Sequence, residues 1–404
     1  FYAYVSEGLG NRQGIAAAIL ALVSYNMMQI GLYGIFGFGL AAMLNGWLGT
    51  AIPWWLAAAV GWVIVAVMGV RNVDFSAKVL GVLVALEFLV VIVVSIISLK
   101  TAPEGVTSQT LQPSQFFTDG IGVLLAFSIA AFMGFESGAI YSEEAKDPEQ
   151  TVPKATYIAV GVIALFYAGS AWAFAQGVGP STIIAQSQEH GPDLLFIWLG
   201  EYSAPAATVA NVLFITSLIA ALVAFHNAAA RYFFSLGRSR VLPDFFAKTT
   251  ASGAPLTGSI TQSAIAVVVV IGFAIAGIGS EFGDLYPVLT LFTWLTNAAA
   301  FGLVFLLAIS SVSIMVWLNR AATGYGIVTR LLAPIIATVG LITIFVLVMV
   351  NFPLMIGDTG PASLVWVMPG IIIGAGVLGL LWGTYLERAK PEIYNSLHDN
   401  LDQH

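Results

Sequence analysis

The chain has 404 residues, of which 59% are hydrophobic and only 9% charged, and its mean hydropathy is +0.92. A globular domain carries roughly 25% charged residues, so the composition describes a polytopic membrane protein. The formal net charge of −7 says little about partners, because in a bilayer what matters is the side on which each charge lies.

The chain has no cysteine, which excludes a disulfide, a thiolate metal site, a cysteine nucleophile and a disulfide-linked partner. The histidines His190, His226, His398 and His404 make no metal-ligand spacing such as HExxH. No basic patch with interleaved aromatics supports nucleic-acid binding. No Walker A motif points to an ATP-driven pump.

Residue 1 is Phe, and FYAYVSEGLGNRQG reads as an amphipathic lead-in. It lacks the charged start, short apolar core and cleavage site of a signal peptide, and the natural chain is expected to begin earlier. A spanning helix needs about 20 apolar residues. By that rule the sequence predicts ten spans, near 15–45, 54–70, 77–99, 119–141, 155–178, 205–236, 257–278, 286–316, 331–352 and 365–385. The first, sixth and eighth exceed one crossing, which predicts tilt or an extra end turn. The segment 179–204 carries the turn signals GVGP and EHGPD, and its DLLFIWLG piece is expected to lie along the membrane surface.

Orientation follows the Lys/Arg bias. With Arg12 placed in the cytoplasm and the spans alternating, every Lys and Arg except Lys100 falls inside. The outer loops then hold Glu104, Asp119, Glu189, Asp193, Glu201, Glu281, Asp284 and Asp358. Both termini of the chain are expected in the cytoplasm of a cell-membrane protein.

The stretch Phe127–Lys154, FSIAAFMGFESGAIYSEEAKDPEQTVPK, organises the rest. Its first part is apolar enough to cross a bilayer, yet it holds Gly134, Glu136 and Gly138. Glycine weakens a helix by about 1 kcal/mol relative to alanine, and an unpartnered charge at membrane depth costs several more. The combination predicts a broken helix that offers bare peptide groups to a cavity, as carriers build substrate sites. The charged loop beyond it reads as a helix start, with Asp147 as N-cap, Pro148 at N1 and Pro153 as the start signal of the next span. Glu143, Glu144 and Lys146 are candidates for weak gating ion pairs, each worth about 0–1 kcal/mol when exposed.

Three stretches together resemble the amino acid–polyamine–organocation permeases: FYAYVSEGLGNRQG, FMGFESGAIYSEEAKDPEQTVPKA and HNAAARYFFSLGRSRVLPDFFAKTTASGAP. They look like the lead-in to that family's third helix, its sixth helix with the following loop, and the end of its eighth helix with the next loop. The resemblance covers essentially the whole chain. It implies an all-α membrane protein with a partial five-plus-five inverted-repeat transporter fold and two additional C-terminal helices. Within one permease domain over 1–404, residues 1–100 would be an incomplete first repeat, 119–317 the second and 331–385 the terminal pair. The family's first two helices, the first of which holds the substrate carboxylate, have no counterpart after Phe1. A truncated sequence is therefore expected, and as it stands the chain is expected not to transport.

The resemblance implies that Ala130, Ala131, Phe132, Met133 and Gly134 are the unwound segment, whose carbonyls accept hydrogen bonds from a substrate ammonium group. Where some relatives place a gating aromatic, this chain has Ala130, which leaves room for a larger substrate or moves the gate, with Phe132 the nearest candidate. Close helix packing at Gly134 and Gly138 is the alternative. Glu136 is the candidate proton-coupling group, since a desolvated carboxyl favours its protonated form; a structural acid is the alternative. Glu87 lies near a position where some relatives carry a lysine that substitutes for sodium, and is a second coupling candidate. Ser24, Tyr25 and Gln29 place polar groups in a helix that lines the cavity in the family, with helix glue as the alternative. Phe225 matches a gate aromatic. His226 reads as structural. Thr290, Thr293 and Asn297 form one polar stripe, read as helix glue before lining.

The function expected is secondary active transport of an amino acid or related amine by alternating access, coupled to protons or to exchange, with no cofactor. The alternatives are a polyamine or organic-amine antiporter and a non-transporting homologue. No filter-like repeat supports a channel, and the intramembrane ionisable residues are too dispersed for an enzyme site. No acid other than Glu136 selects a cationic side chain, which favours neutral amino acids.

Overall fold

The computed structural model describes residues 1–71, 77–136, 146–321, 324–356 and 360–399. Gly138, Glu143, Glu144, Asp358 and His404 lie outside the described residues, as does the far half of the span expected to end at 141. Among the described residues nine helices are long and apolar enough to cross a membrane, and Ile121–Phe132 is a shorter apolar helix. These ten elements fall on the ten expected spans.

In chain order, a short helix α1 (Tyr2–Leu9) precedes α2 (Asn11–Leu48), α3 (Trp54–Arg71), α4 (Ala77–Thr101) and α5 (Ile121–Phe132). Then come α6 (Pro148–Val178), two short helices α7 (Ile183–His190) and α8 (Leu194–Tyr202), α9 (Ala204–Arg238) and α10 (Leu256–Ala276). A π-helical turn Val288–Phe292 leads into α11 (Thr293–Arg320), and a second, Val328–Leu332, into α12 (Ala333–Val350). The chain closes with α13 (Phe352–Ile356), α14 (Leu364–Ala389) and α15 (Pro391–Asp399).

Helix α2 is the hub. Its 38 residues give a rod roughly 57 Å long at 1.5 Å per residue, well beyond the roughly 30 Å of hydrocarbon. Most of it is buried, and α3, α9, α11 and α14 all pack on it. Small residues permit that crowding: a Cβ at Gly34 would stand 2.6 Å from the Pro287 carbonyl oxygen, and one at Gly37 would stand 2.6 Å from that of Trp54. In lipid, where apolar surfaces gain nothing by leaving water, such close approach is what holds helices together. At the end of α2, Gly49 adopts φ 63° and returns its N–H to Asn45, the left-handed cap that favours glycine. The Asn45 side chain then accepts from Ile52 N–H at 2.7 Å and donates to its carbonyl at 3.0 Å, which sets the tight turn into α3.

At the end that carries most basic residues, α1 is strapped to α11: Ser313 donates to the Tyr4 carbonyl at 2.5 Å, and Arg320 to that of Gly8 at 3.2 Å. Arg12 pairs with Glu387 of α14, and Asn11 donates to the Tyr394 carbonyl of α15 at 2.9 Å.

One start signal is corrected. Helix α6 begins at Pro148, and Pro153 lies inside it. Asp147 occupies the cap position in a left-handed conformation, φ 49°, without a side-chain bond to the helix. Pro148 at N1 already has the fixed φ a helix needs. Pro153 only deprives the Glu149 carbonyl of a donor, one turn from a helix end.

Replacing Gly34 by alanine should lower the melting temperature in detergent. The gain of about 1 kcal/mol in helix propensity is outweighed by overpacking against backbone, about 1–3 kcal/mol. Gly46→Ala, on the same helix with open space around it, should leave the melting temperature unchanged or raise it.

Candidate functional site

Helix α5 stops where its sequence stops favouring a helix. Met133 turns out to ψ 128°, and Gly134 takes φ 111°, a region that costs glycine nothing and other residues strain. The break begins later than the sequence suggested: Ala130, Ala131 and Phe132 are still helical. Ala130 and Ala131, the best helix formers, carry the helix to its end at Phe132, and within the described residues a turn follows over 133–136. The Phe135 amide donates to the Phe132 carbonyl at 3.2 Å, which leaves the Ala131 carbonyl outside the α-helical pattern. A helix C-terminus with displaced carbonyls carries partial negative charge suited to a cation.

Glu136 holds the break. One carboxylate oxygen accepts the Gly134 N–H at 3.0 Å, and the other accepts the hydroxyl of Tyr25 on α2. The Tyr25 ring lies 6.0 Å from that of Phe225 and 5.3 Å from that of Tyr232, both on α9. Phe225 also covers the turn, with its ring edge 3.9 Å from where a Gly134 Cβ would stand. Tyr25, Gly134, Glu136 and Phe225 are thus brought together. Tyr232 was not anticipated; its position two helical turns beyond Phe225, on the same face, is the signal that could have found it.

On the other side of the break lies an open cavity of about 420 Å³, lined by Ala131–Phe135 and by Ala155, Thr156, Ala159, Ile163 and Tyr167. Four of the five α6 residues recur every fourth position, which puts them on one helix face, with Thr156 beside it. Phe132 meets Tyr167 edge to face at 6.3 Å. Most of the wall is apolar or aromatic, with displaced backbone at one end.

The other expected site residues lie elsewhere. Gln29 is fully buried; it donates to the Tyr33 hydroxyl at 3.0 Å and accepts from Gln262 of α10 at 2.7 Å. Ser24 donates to the Leu20 carbonyl at 2.9 Å and sits against Gly302 of α11. Glu87 accepts from Ser217 of α9 at 3.0 Å, away from the break. His226 is buried where α3, α9 and α10 meet, 2.8 Å from the Ser259 hydroxyl. Thr290, Thr293 and Asn297 each donate to a carbonyl of their own helical segment, at 2.6, 2.8 and 2.7 Å, so they bind their own turns rather than a neighbouring helix.

The family model described as amino acid permease matches residues 1–388. The lysine-specific permease LysP of Lactococcus lactis subsp. cremoris (strain MG1363) is 28% identical over 156 residues, covering 37% of this chain and 30% of that protein. The histidine permease HisP of the same strain is 29% identical over 148 residues, covering 36% and 31%. The aromatic amino acid transport protein AroP of Salmonella typhimurium (strain SL1344) is 25% identical over 272 residues, covering 64% and 53%. The aligned part spans from under a third to about half of these curated relatives.

A Tyr25→Phe and Glu136→Gln double-mutant cycle, read as melting shifts in detergent, should be non-additive. The two side chains share one bond, and residues so linked couple by at least about 0.5 kcal/mol. Strictly additive shifts would mean that the bond contributes nothing.

Proposed function

The chain belongs to the amino acid permease family, and from that premise we propose that it is the membrane body of a secondary amino acid carrier. The observation that supports this most directly is the helix that ends at Phe132 beside an open cavity. Such breaks are how carriers present backbone to a substrate at mid-membrane. On this reading the displaced carbonyls of residues 131–134 receive the substrate ammonium group. Phe132, Ile163 and Tyr167 accept its side chain, and Phe225 closes over the turn. Apolar and aromatic walls favour a neutral amino acid, in keeping with the name of AroP, whereas the names of LysP and HisP would point to a basic one.

Glu136 is the coupling group in this proposal. Charge-assisted hydrogen bonds are roughly twice as strong as neutral ones. A proton on Glu136 would turn one acceptor into a donor and leave a weaker acceptor for Gly134 N–H, loosening the turn. Proton uptake and the shape of the site would then be linked. Glu87, on α4, is a second titrating position independent of the break. Residues 119–317 form the repeat that carries the broken helix, and both ends of the chain lie on the cytoplasmic side of the cell membrane, a placement supported by the Lys/Arg asymmetry.

Counterflow of a radiolabelled neutral amino acid in proteoliposomes, saturable and independent of ATP, is expected of a full-length version of the permease and not of residues 1–404 alone. ATP dependence or a non-saturable leak would reject a carrier. Glu136→Gln should flatten the pH dependence of uptake, and an unchanged profile would remove Glu136 from coupling. Gly134→Ala should lower uptake at least tenfold, because φ 111° strains any other residue.

A further inference from the structure

A second cavity, about 320 Å³, opens where α4 and α6 end and α7 and α8 lie, away from the broken helix. Among its walls are Thr101, Thr182, Gln186, Trp198, Glu201 and Tyr202. Its hydroxyl protons are already committed. Tyr202 donates to Thr101 at 3.1 Å, Thr101 to the Ile97 carbonyl at 2.9 Å, and Thr182 to the Val178 carbonyl at 3.0 Å. The indole N–H of Trp198 donates to the Gly177 carbonyl at 3.2 Å. What these groups leave for a ligand is lone pairs, the exposed Glu201 carboxylate and two aromatic rings with centroids 4.8 Å apart.

We propose that this cavity binds a small organic cation, a primary alkylammonium or guanidinium group. A cation gains from an aromatic ring face, here that of the exposed Tyr202, and from charge-assisted bonds to a carboxylate. An anion or a pure acceptor would meet only other acceptors, apart from the Gln186 amide. Among the described residues no basic side chain lines the cavity. Lys100 is exposed and is displaced from Thr101 by about 100° around the helix. The surrounding segment also carries Glu189 and Asp193, which would concentrate cations near the opening.

Butylammonium chloride titrated calorimetrically into the full chain in detergent, against sodium chloride at equal ionic strength, tests this. Saturable binding is expected, weakened at least fivefold by Glu201→Gln and abolished by Glu201→Lys, which supplies a tethered ammonium group. Glu201 is exposed, so both variants should keep the wild-type melting temperature and elution profile. Neither substitution touches the Tyr25–Glu136 cluster, so loss of binding reports on this cavity and not on the carrier site. Absence of saturable binding, or a change smaller than fivefold in Glu201→Gln, overturns the proposal.

Discussion

A backbone amide released inside a bilayer has to find an acceptor, and at Gly134 it finds the carboxylate of Glu136, 3.0 Å away. With no water in the hydrocarbon, an unpaired peptide group costs several kcal/mol, so a transmembrane helix opens only where something meets that need. Glu136 does so from within the turn itself, only two residues from the amide it holds. Its second oxygen takes the Tyr25 hydroxyl, and this ties the turn to α2. A largely buried helix is therefore tied to the point where α5 ends.

The two sides of the break are unlike. Toward α2 and α9 it meets Tyr25, Tyr232 and Phe225 in close ring contact. Toward α6 it meets an open cavity and a helix face of small and aromatic residues. Helix α6 exposes Tyr157 and Leu165 at 80% each, whereas most of α2 is buried. The open cavity and the hydrogen bonds that hold the turn thus involve different partners of the same short stretch.

The spans were legible because lipid imposes a length and a composition on each of them. The break was legible because Gly134 and Glu136 are both costly in a membrane helix and lie two residues apart. Its starting point was not: Ala130 and Ala131 favour a helix, which runs on to Phe132 before Met133 and Gly134 leave it. The π-helical turns before α11 and α12 have no composition of their own. The one at Val288–Phe292 packs closely against α2 at Gly34. Pro153 looked like a start because proline usually stands there, yet Pro148 had already done that work five residues earlier.

Buried polar residues were the hardest to assign, for a reason the bilayer supplies. Ser, Thr, Asn and Gln in a membrane helix satisfy themselves on the preceding turn, on a neighbouring helix or on a solute, and the residue type is the same in all three cases. Ser24, Thr290 and Asn297 took the first course, and Gln29 with Gln262 took the second. A carboxylate has fewer choices, because it only accepts and so needs donors brought to it. Tyr25 and the Gly134 amide come to Glu136, and Ser217 comes to Glu87. Charged groups therefore mark where a membrane protein has organised its surroundings, and neutral polar groups mark only where a hydrogen bond was available.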